Sequence, residues 1–222
     1  MRYYGLERNR EMEYVCGEWW TTHLLTILIF DPMNELETYI SSFWNITGTD
    51  LKTVATFFQP ETIQKGSFYL KPGKVCNTLS FLQSGLMRVY LIDDNGQEIT
   101  QWIAGKGGFI TDLAGMLFHD VSKCYIQALT DCECYTLNRT EYNAMEKAVP
   151  KWHQLEKLFI ARCFVFMEQR VFSLLSMSAE DRYKWLFNYN PALFNEVPLQ
   201  YLASMMGMSP ETLSRIRKRI SS

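Results

Sequence analysis

From Lys151 to Met177 the chain contains neither glycine nor proline. Within that stretch Leu155, Leu158, Phe159, Arg162, Val165, Phe166, Gln169 and Phe172 recur at three- and four-residue steps. Residues at this spacing share a face of an α-helix. At 1.5 Å per residue the stretch predicts roughly 40 Å of continuous helix. Phe159, Phe164, Val165, Phe166 and Phe172 cannot all lie on one narrow stripe. One face of such a helix covers the rest of its own subunit, and another meets something else, most simply a second copy of the chain. A central helix buried all round in a monomer is the competing reading. On the dimer reading, a charge at Phe166 should produce monomers.

Ahead of this helix the pattern is different. Ser67–Leu70 runs into the turn pair Pro72-Gly73, Ser80–Leu82 into Ser84-Gly85, and Leu86–Ile92 into Asp93-Asp94-Asn95-Gly96. Asn-Gly favours the positive φ angles of a tight hairpin, and Glu98–Ile103 reads as the return strand. Gly105-Lys106-Gly107-Gly108 reads as a flexible loop. Lys123–Ala128 and Cys132–Leu137 add two more strands around Thr130-Asp131. Several short strands at regular spacing predict a sandwich or barrel. Flanking helices are expected after Asn34, read as an N-cap for Leu36, Tyr39, Ile40 and Phe43, and after Thr140, read as the cap of a helix ending near Val149-Pro150. Ser178 reads as the cap of a helix running to about Tyr189.

Composition narrows the function. Over 222 residues, 22 Lys+Arg stand against 24 Asp+Glu, so the chain has no basic coat, although a local basic patch remains open. Hydrophobic content of 47% and charged content of 21% exclude wholesale disorder and fibrous rods. The six cysteines show no CxxC spacing and there are three histidines, which excludes the usual zinc sites and favours reduced cytoplasmic thiols. Cys132 and Cys134 fall on one face of a strand, where they either fill the barrel or take a redox role. His119 and His153 lack a supporting pattern for haem.

The apolar run Leu24–Phe30 is too short for a bilayer, and acidic residues precede it, so no membrane span or signal peptide is expected. Residues 1–32 read either as an extension upstream of a start at Met33 or as an ordinary N-terminal helix. No phosphate loop, nucleophile grouping or histidine cluster suggests an enzyme.

The C-terminal segment carries the main functional signal. Leu199–Met206 and Ser209–Arg219 read as two short helices separated by Gly207, with Ser209 as N-cap and Pro210 at the first helical position. Ala203 is small where the helices cross, and Leu202, Met206, Met208, Leu213 and Ile216 form the shared seam. These are the demands of a helix-turn-helix. The second helix turns Glu211, Thr212, Ser214, Arg215 and Lys218 outward and brings Arg217 and Arg219 near phosphates. A terminal hairpin with a merely solvated basic end is the plainer reading.

A β-roll, a long helix and a helix-turn-helix, in that order, resemble the CRP/FNR family of bacterial transcription regulators over about Met33 to Arg219. The resemblance implies an α+β architecture: a cyclic-nucleotide-binding-like jelly roll over 33–149, a dimerisation helix over 150–177 and a helix-turn-helix domain over 178–222. It also implies a cytoplasmic homodimer on palindromic double-stranded DNA, with RNA polymerase as a further partner. Glu211, Ser214 and Arg215 match the E-x-x-S-R pattern of FNR-like regulators, which read TTGA-containing half-sites. CRP-like members carry a further arginine where this chain has Pro210. Chemistry agrees, since arginine pairs bidentately with guanine and glutamate accepts from cytosine; Ser214 also suits a phosphate contact.

The ligand side of the resemblance departs further. Phe109-Ile110-Thr111-Asp112-Leu113 falls where the family places its nucleotide-binding segment, with Thr111-Asp112-Leu113 replacing Gly-Glu-Leu. Ser122-Lys123-Cys124 falls where relatives carry Arg-Ser/Thr-Ala. Phe109, Asp112, Ser122 and Lys123 are thus the candidate ligand residues, and Asp112 and Lys123 also read as ordinary exposed positions. Lysine lacks the planar fork of the lost arginine, so cyclic AMP is not expected to bind in the usual way. No cofactor is expected, and the small-molecule effector is open. FNR's iron–sulfur cluster needs an N-terminal cysteine cluster, a region in which this chain has only Cys16. The alternative function is a cyclic-nucleotide or small-ligand sensor whose helical C-terminus docks a protein partner.

Overall fold

Eight short strands build two antiparallel sheets in the computed structural model, which describes residues 32–220. The first sheet joins, in spatial order, β1 (Gln59–Ile63), β8 (Cys132–Asn138), β3 (Thr78–Ser84) and β6 (Phe109–Ile110). The second joins β2 (Phe68–Leu70), β7 (Tyr125–Ala128), β4 (Met87–Ile92) and β5 (Glu98–Ala104). Ile63, Leu70, Leu82, Met87, Ile110, Ile126, Cys132 and Cys134 form one core within this β-roll.

The expected strands are present to within about two residues at either end, but β1 and β6 were not anticipated. β1 is an edge strand whose first four side chains are exposed, so it carries no apolar alternation to read. β6 is only two residues long.

The hairpin between β4 and β5 corrects one reading. Gly96 has φ +80, whereas Asn95 is not in the positive-φ region. The Asp93 carboxylate instead accepts hydrogen bonds from the amides of Asn95 (2.9 Å) and Gln97 (2.8 Å). With the side chain of Asp93 organising the loop, only the glycine needs the left-handed conformation.

Helices pack against both sheets of the roll. α1 (Pro32–Trp44) begins two residues ahead of Asn34, which is therefore inside the helix and not its cap. Leu36, Ile40 and Trp44 of α1 share a core with Val54 and Ala55 of α2 (Gly48–Ala55), a helix that was not expected. The readings made for residues 1–31 lie outside the described residues. α3 (Leu113–Phe118) follows β6, and α4 (Arg139–Ala148) follows β8. The cap of α4 is Asn138 and not Thr140. Asn138 Oδ1 accepts from the Glu141 amide at 3.0 Å, and Glu141 Oε2 accepts from the Asn138 amide at 2.7 Å. Only Asn138 has glutamate three residues on, which is what a reciprocal capping box requires.

The long helix is α5 (Trp152–Ser176), as its periodicity predicts. Trp152, Leu155 and Phe159 pack into the core shared by α1, α2 and the first sheet. Further along, the Phe166 ring meets Trp102 of β5 edge-on at 4.7 Å. Half-buried Phe166 thus packs against its own subunit through this contact. One outward row is Ile160, Phe164, Met167, Val171 and Leu174, all exposed and spaced by alternating steps of four and three, and Leu158, Val165 and Phe172 are exposed beside it. Phe164 is 63% exposed and Leu175, beside this row, 83%.

Beyond α5, Ser178 caps α6 (Ala179–Tyr189), its hydroxyl accepting from the Asp181 amide at 3.2 Å. α7 (Leu193–Glu196), α8 (Leu199–Met205) and α9 (Pro210–Ile220) complete the described chain.

Candidate functional site

α8 and α9 meet across Leu202, Ala203, Met206, Leu213 and Ile216, a core that also takes in Tyr183 and Leu186 of α6 and Leu86 and Ile103 of the β-roll. Gly207 has φ +64, and a Cβ there would lie 3.0 Å from Leu174 Cδ2, so the turn both requires glycine and rests on α5. Two arginines hold the carbonyls around this turn. Arg170 of α5 donates to Met205 O at 2.6 Å, and Arg182 of α6 donates to Met206 O at 2.7 Å and Met177 O at 2.7 Å. Cationic groups at a helix C-terminus satisfy its orphan acceptors and its dipole. The end of α8, from which the chain turns into α9, is therefore held by side chains from two other helices.

α9 opens with Pro210, and Ser209 Oγ accepts from the Thr212 amide at 3.2 Å. Leu213 and Ile216 face inward, while Ser209, Glu211, Arg215, Lys218 and Arg219 are exposed and Thr212, Ser214 and Arg217 half-buried. Glu211 and Arg215 stand one helical turn apart. The Glu211 backbone amide, the Ser209 hydroxyl and the Arg215 guanidinium draw the Glu211 carboxyl below the usual carboxylate range. Arg219 pairs with Glu180 of α6, which also binds Lys184 at 2.8 Å. That pairing ties the far end of α9 to α6, so Arg219 has a positioning task that spacing alone did not reveal.

The four candidate ligand residues occupy different surroundings. Phe109 lies among Tyr39, Trp44, Phe58, Phe81 and Phe159, with ring centroids 5.5 to 6.4 Å away. It belongs to the aromatic packing between roll and helices. Asp112 is the N-cap of α3, accepting from the Ala114 amide at 3.1 Å. Ser122 is buried, and its hydroxyl accepts from the Cys124 amide at 3.2 Å. Lys123 is exposed. Asp112 and Cys124 are close enough for the carboxylate to help burial raise the Cys124 thiol pKa. Burial likewise pushes Cys134 up to about 11, and with Cys132 fully buried the pair behaves as filling of the roll.

α3 is fixed more firmly than its sequence suggests. Arg139, the first residue of α4, donates to the carbonyls of Met116 (3.1 Å), Gly115 and Cys76 (2.8 Å), and its Nη1 lies 2.6 Å from His119 Nδ1. His119 closes α3 in the left-handed conformation. On the inner side, a Cβ at Gly115 would sit 2.7 Å from Cys76 N and 2.9 Å from Cys76 Cβ. Gly115→Ala is therefore expected to destabilise the protein in a urea melt. Overpacking against a backbone atom costs about 1–3 kcal/mol, against a gain of about 1 kcal/mol in helix propensity. A variant as stable as the parent would mean that α3 shifts freely on the roll.

Two opposed antiparallel sheets enclosing a core, a short helix after β6 and a helix closing the roll after β8 constitute a recognisable arrangement. Residues 60–148 match the cyclic nucleotide-binding domain. The match spans this domain from β1 to the end of α4 and stops short of α5. The wider structure resembles the Thermus thermophilus catabolite activator protein (20% identity, TM-score 0.52, 81% of this chain and 85% of that one). It also resembles FixK2 from Bradyrhizobium japonicum (13%, TM-score 0.63, 74% and 84%) and the c-di-GMP-responsive global regulator CLP of Xanthomonas campestris (15%, TM-score 0.58, 78% and 90%). At these identities the likeness is one of fold. The sequence matches no curated protein at a significant level. Of these neighbours, one is named an activator protein and one a global regulator. Among the described residues no helix is long and apolar enough to cross a membrane.

Proposed function

We propose that this protein is a dimeric, sequence-specific DNA-binding transcription regulator of the CRP/FNR type, acting in the cytoplasm with RNA polymerase as a further partner and without enzymatic activity. The observation that carries the reading is α9. A capped helix presents Glu211, Ser214 and Arg215 on one side, while Leu213 and Ile216 anchor the other side to α8. This pair of helices is the helix-turn-helix, with α9 the recognition helix in the major groove. Arg215 pairs with guanine, Glu211 accepts from cytosine, and Ser209, Thr212, Ser214, Arg217, Lys218 and Arg219 lie along the phosphates.

Dimerisation through α5 follows from the exposed row Ile160, Phe164, Met167, Val171 and Leu174. A monomer rarely leaves so continuous an apolar stripe in water, and its four-three spacing is that of a two-helix seam. The division of labour is a roll over 33–149, the seam helix over 150–177 and the DNA-reading domain over 178–222.

The effector pocket of the roll diverges from the usual cyclic-AMP site. Asp112 is engaged as a helix cap, and Ser122-Lys123-Cys124 offers no arginine fork.

Selection of bound sequences from a random double-stranded pool, with purified ligand-free protein at near-physiological salt, tests the proposal. The expected result is a palindrome of TTGA-containing half-sites about one helical turn apart. No enrichment, with or without added nucleotides or cell extract, would refute DNA reading and favour a helical end that docks a protein.

A further inference from the structure

The outer face of the second sheet holds an arrangement that the reading of α9 does not use. Arg88 of β4 is 1% exposed, yet its guanidinium lies in no apolar pocket. It is stacked between two rings, 4.1 Å from the centroid of Tyr90 on its own strand and 3.6 Å from that of Tyr201 on α8. In its plane, Nε donates to Thr100 Oγ1 at 2.9 Å and Nη1 to Glu98 Oε2 at 2.5 Å, both on β5. One turn further along α8, Ser204 Oγ accepts from the Thr100 amide at 2.9 Å and donates to Glu98 O at 3.4 Å. The stack continues across the sheet, with Tyr90 parallel to Tyr125 of β7 at 4.9 Å and Tyr125 beside Phe68 of β2 at 5.8 Å.

We infer that Arg88, Tyr90, Glu98 and Tyr201 form an intramolecular clamp that fixes the α8–α9 unit on the β-roll and so sets the separation of the two recognition helices in the dimer. Arginine suits this task because its planar fork bonds at the edge while both faces stack on rings; lysine can do only one of these at a time. The clamp grips α8 and leaves the outward residues of α9 exposed, so it is compatible with bound DNA. A duplex with two half-sites gains from the second contact only as far as the second reading unit is already held at the right place. Loosening the clamp therefore weakens the two-site complex and spares the reading of a single half-site.

The inference rests on the DNA-binding reading, and the test separates the two. Wild-type protein, Tyr201→Leu and Arg88→Lys are compared on a palindromic duplex and on a duplex of equal length with one half-site. Hydrogen exchange is measured over residues 199–205. Tyr201→Leu retains apolar bulk on α8, and so guards against the case in which Arg88→Lys fails to fold. Faster exchange is expected in both variants. The advantage of the palindrome over the single half-site should fall by about tenfold or more, with half-site affinity changed by less than about twofold. Unchanged exchange would show that the clamp does not hold α8. A tighter palindrome complex, or a preserved advantage despite faster exchange, would show that the clamp does not set helix separation. A wild-type protein that prefers neither duplex to random DNA would sink the DNA reading, and with it the consequence drawn for DNA, whatever the exchange rates.

Discussion

Phe164→Glu is expected to sediment as a monomer at concentrations where the wild-type protein is a dimer. Phe164 lies centrally in the exposed row on α5 and is 63% open in the isolated chain. In a two-fold seam the substitution acts twice. Burial of a phenyl ring contributes about 2 kcal/mol, so loss of both amounts to roughly 4 kcal/mol, about a thousandfold in the dissociation constant. Apposition of two glutamates adds to that loss. Phe166→Glu provides the contrast, because Phe166 meets Trp102 within the subunit. That variant should lower the melting temperature and leave the association state of the folded fraction unchanged. A Phe164→Glu protein that remains dimeric would place the interface elsewhere. Were the wild type itself monomeric, the stripe would have to be covered by a different partner.

Arg215→Ala should reduce binding to the selected palindrome to the level of random DNA while leaving random-DNA binding nearly intact. A bidentate arginine–guanine contact discriminates by about 1–3 kcal/mol, and a palindrome contains two, giving about 2–6 kcal/mol in all. The residual association through Arg217, Lys218 and Arg219 is electrostatic and should keep its steep salt dependence. Glu211 sits one turn before Arg215, a spacing at which opposite charges on a helix face are neighbours. Equal losses on specific and random DNA, measured by titration at two salt concentrations, would overturn this division between base-reading and phosphate-binding residues.

How much of this was legible in the sequence depended on how local the determining physics is. Ser178 and Ser209 were recognisable as caps because a cap needs only its own side chain and an amide three residues on. The existence of α5 followed from its spacing. Its orientation did not, because periodicity places Phe164 and Phe166 on different faces without saying which face the roll covers. β1 escaped notice because an edge strand with outward polar side chains has no buried pattern to display.

In the candidate sites, Glu211, Ser214 and Arg215 could be placed from neighbouring residues alone. Arg88 and Arg139 could not. Arg88 is explained by Tyr201, and Arg139 by Cys76, Gly115 and Met116, all far away along the chain. A lone arginine in a strand, or at the start of a helix, carries no mark of what it will meet. The one available signal was the shared face of Arg88 and Tyr90 in an otherwise apolar strand.

The contacts of Arg139 also bear on what kind of effector would suit this roll under the proposed regulatory function. A short helix presents a positive field at its first amides and a negative one at its last carbonyls. In α3 the first is met by the Asp112 carboxylate and the second by the Arg139 guanidinium. Both ends are thus matched by charges built into the chain. A phosphate approaching it would have to displace a carboxylate to gain anything from the helix. An uncharged molecule would face no such competition, so its recognition would depend on shape and on the polar rim of the roll.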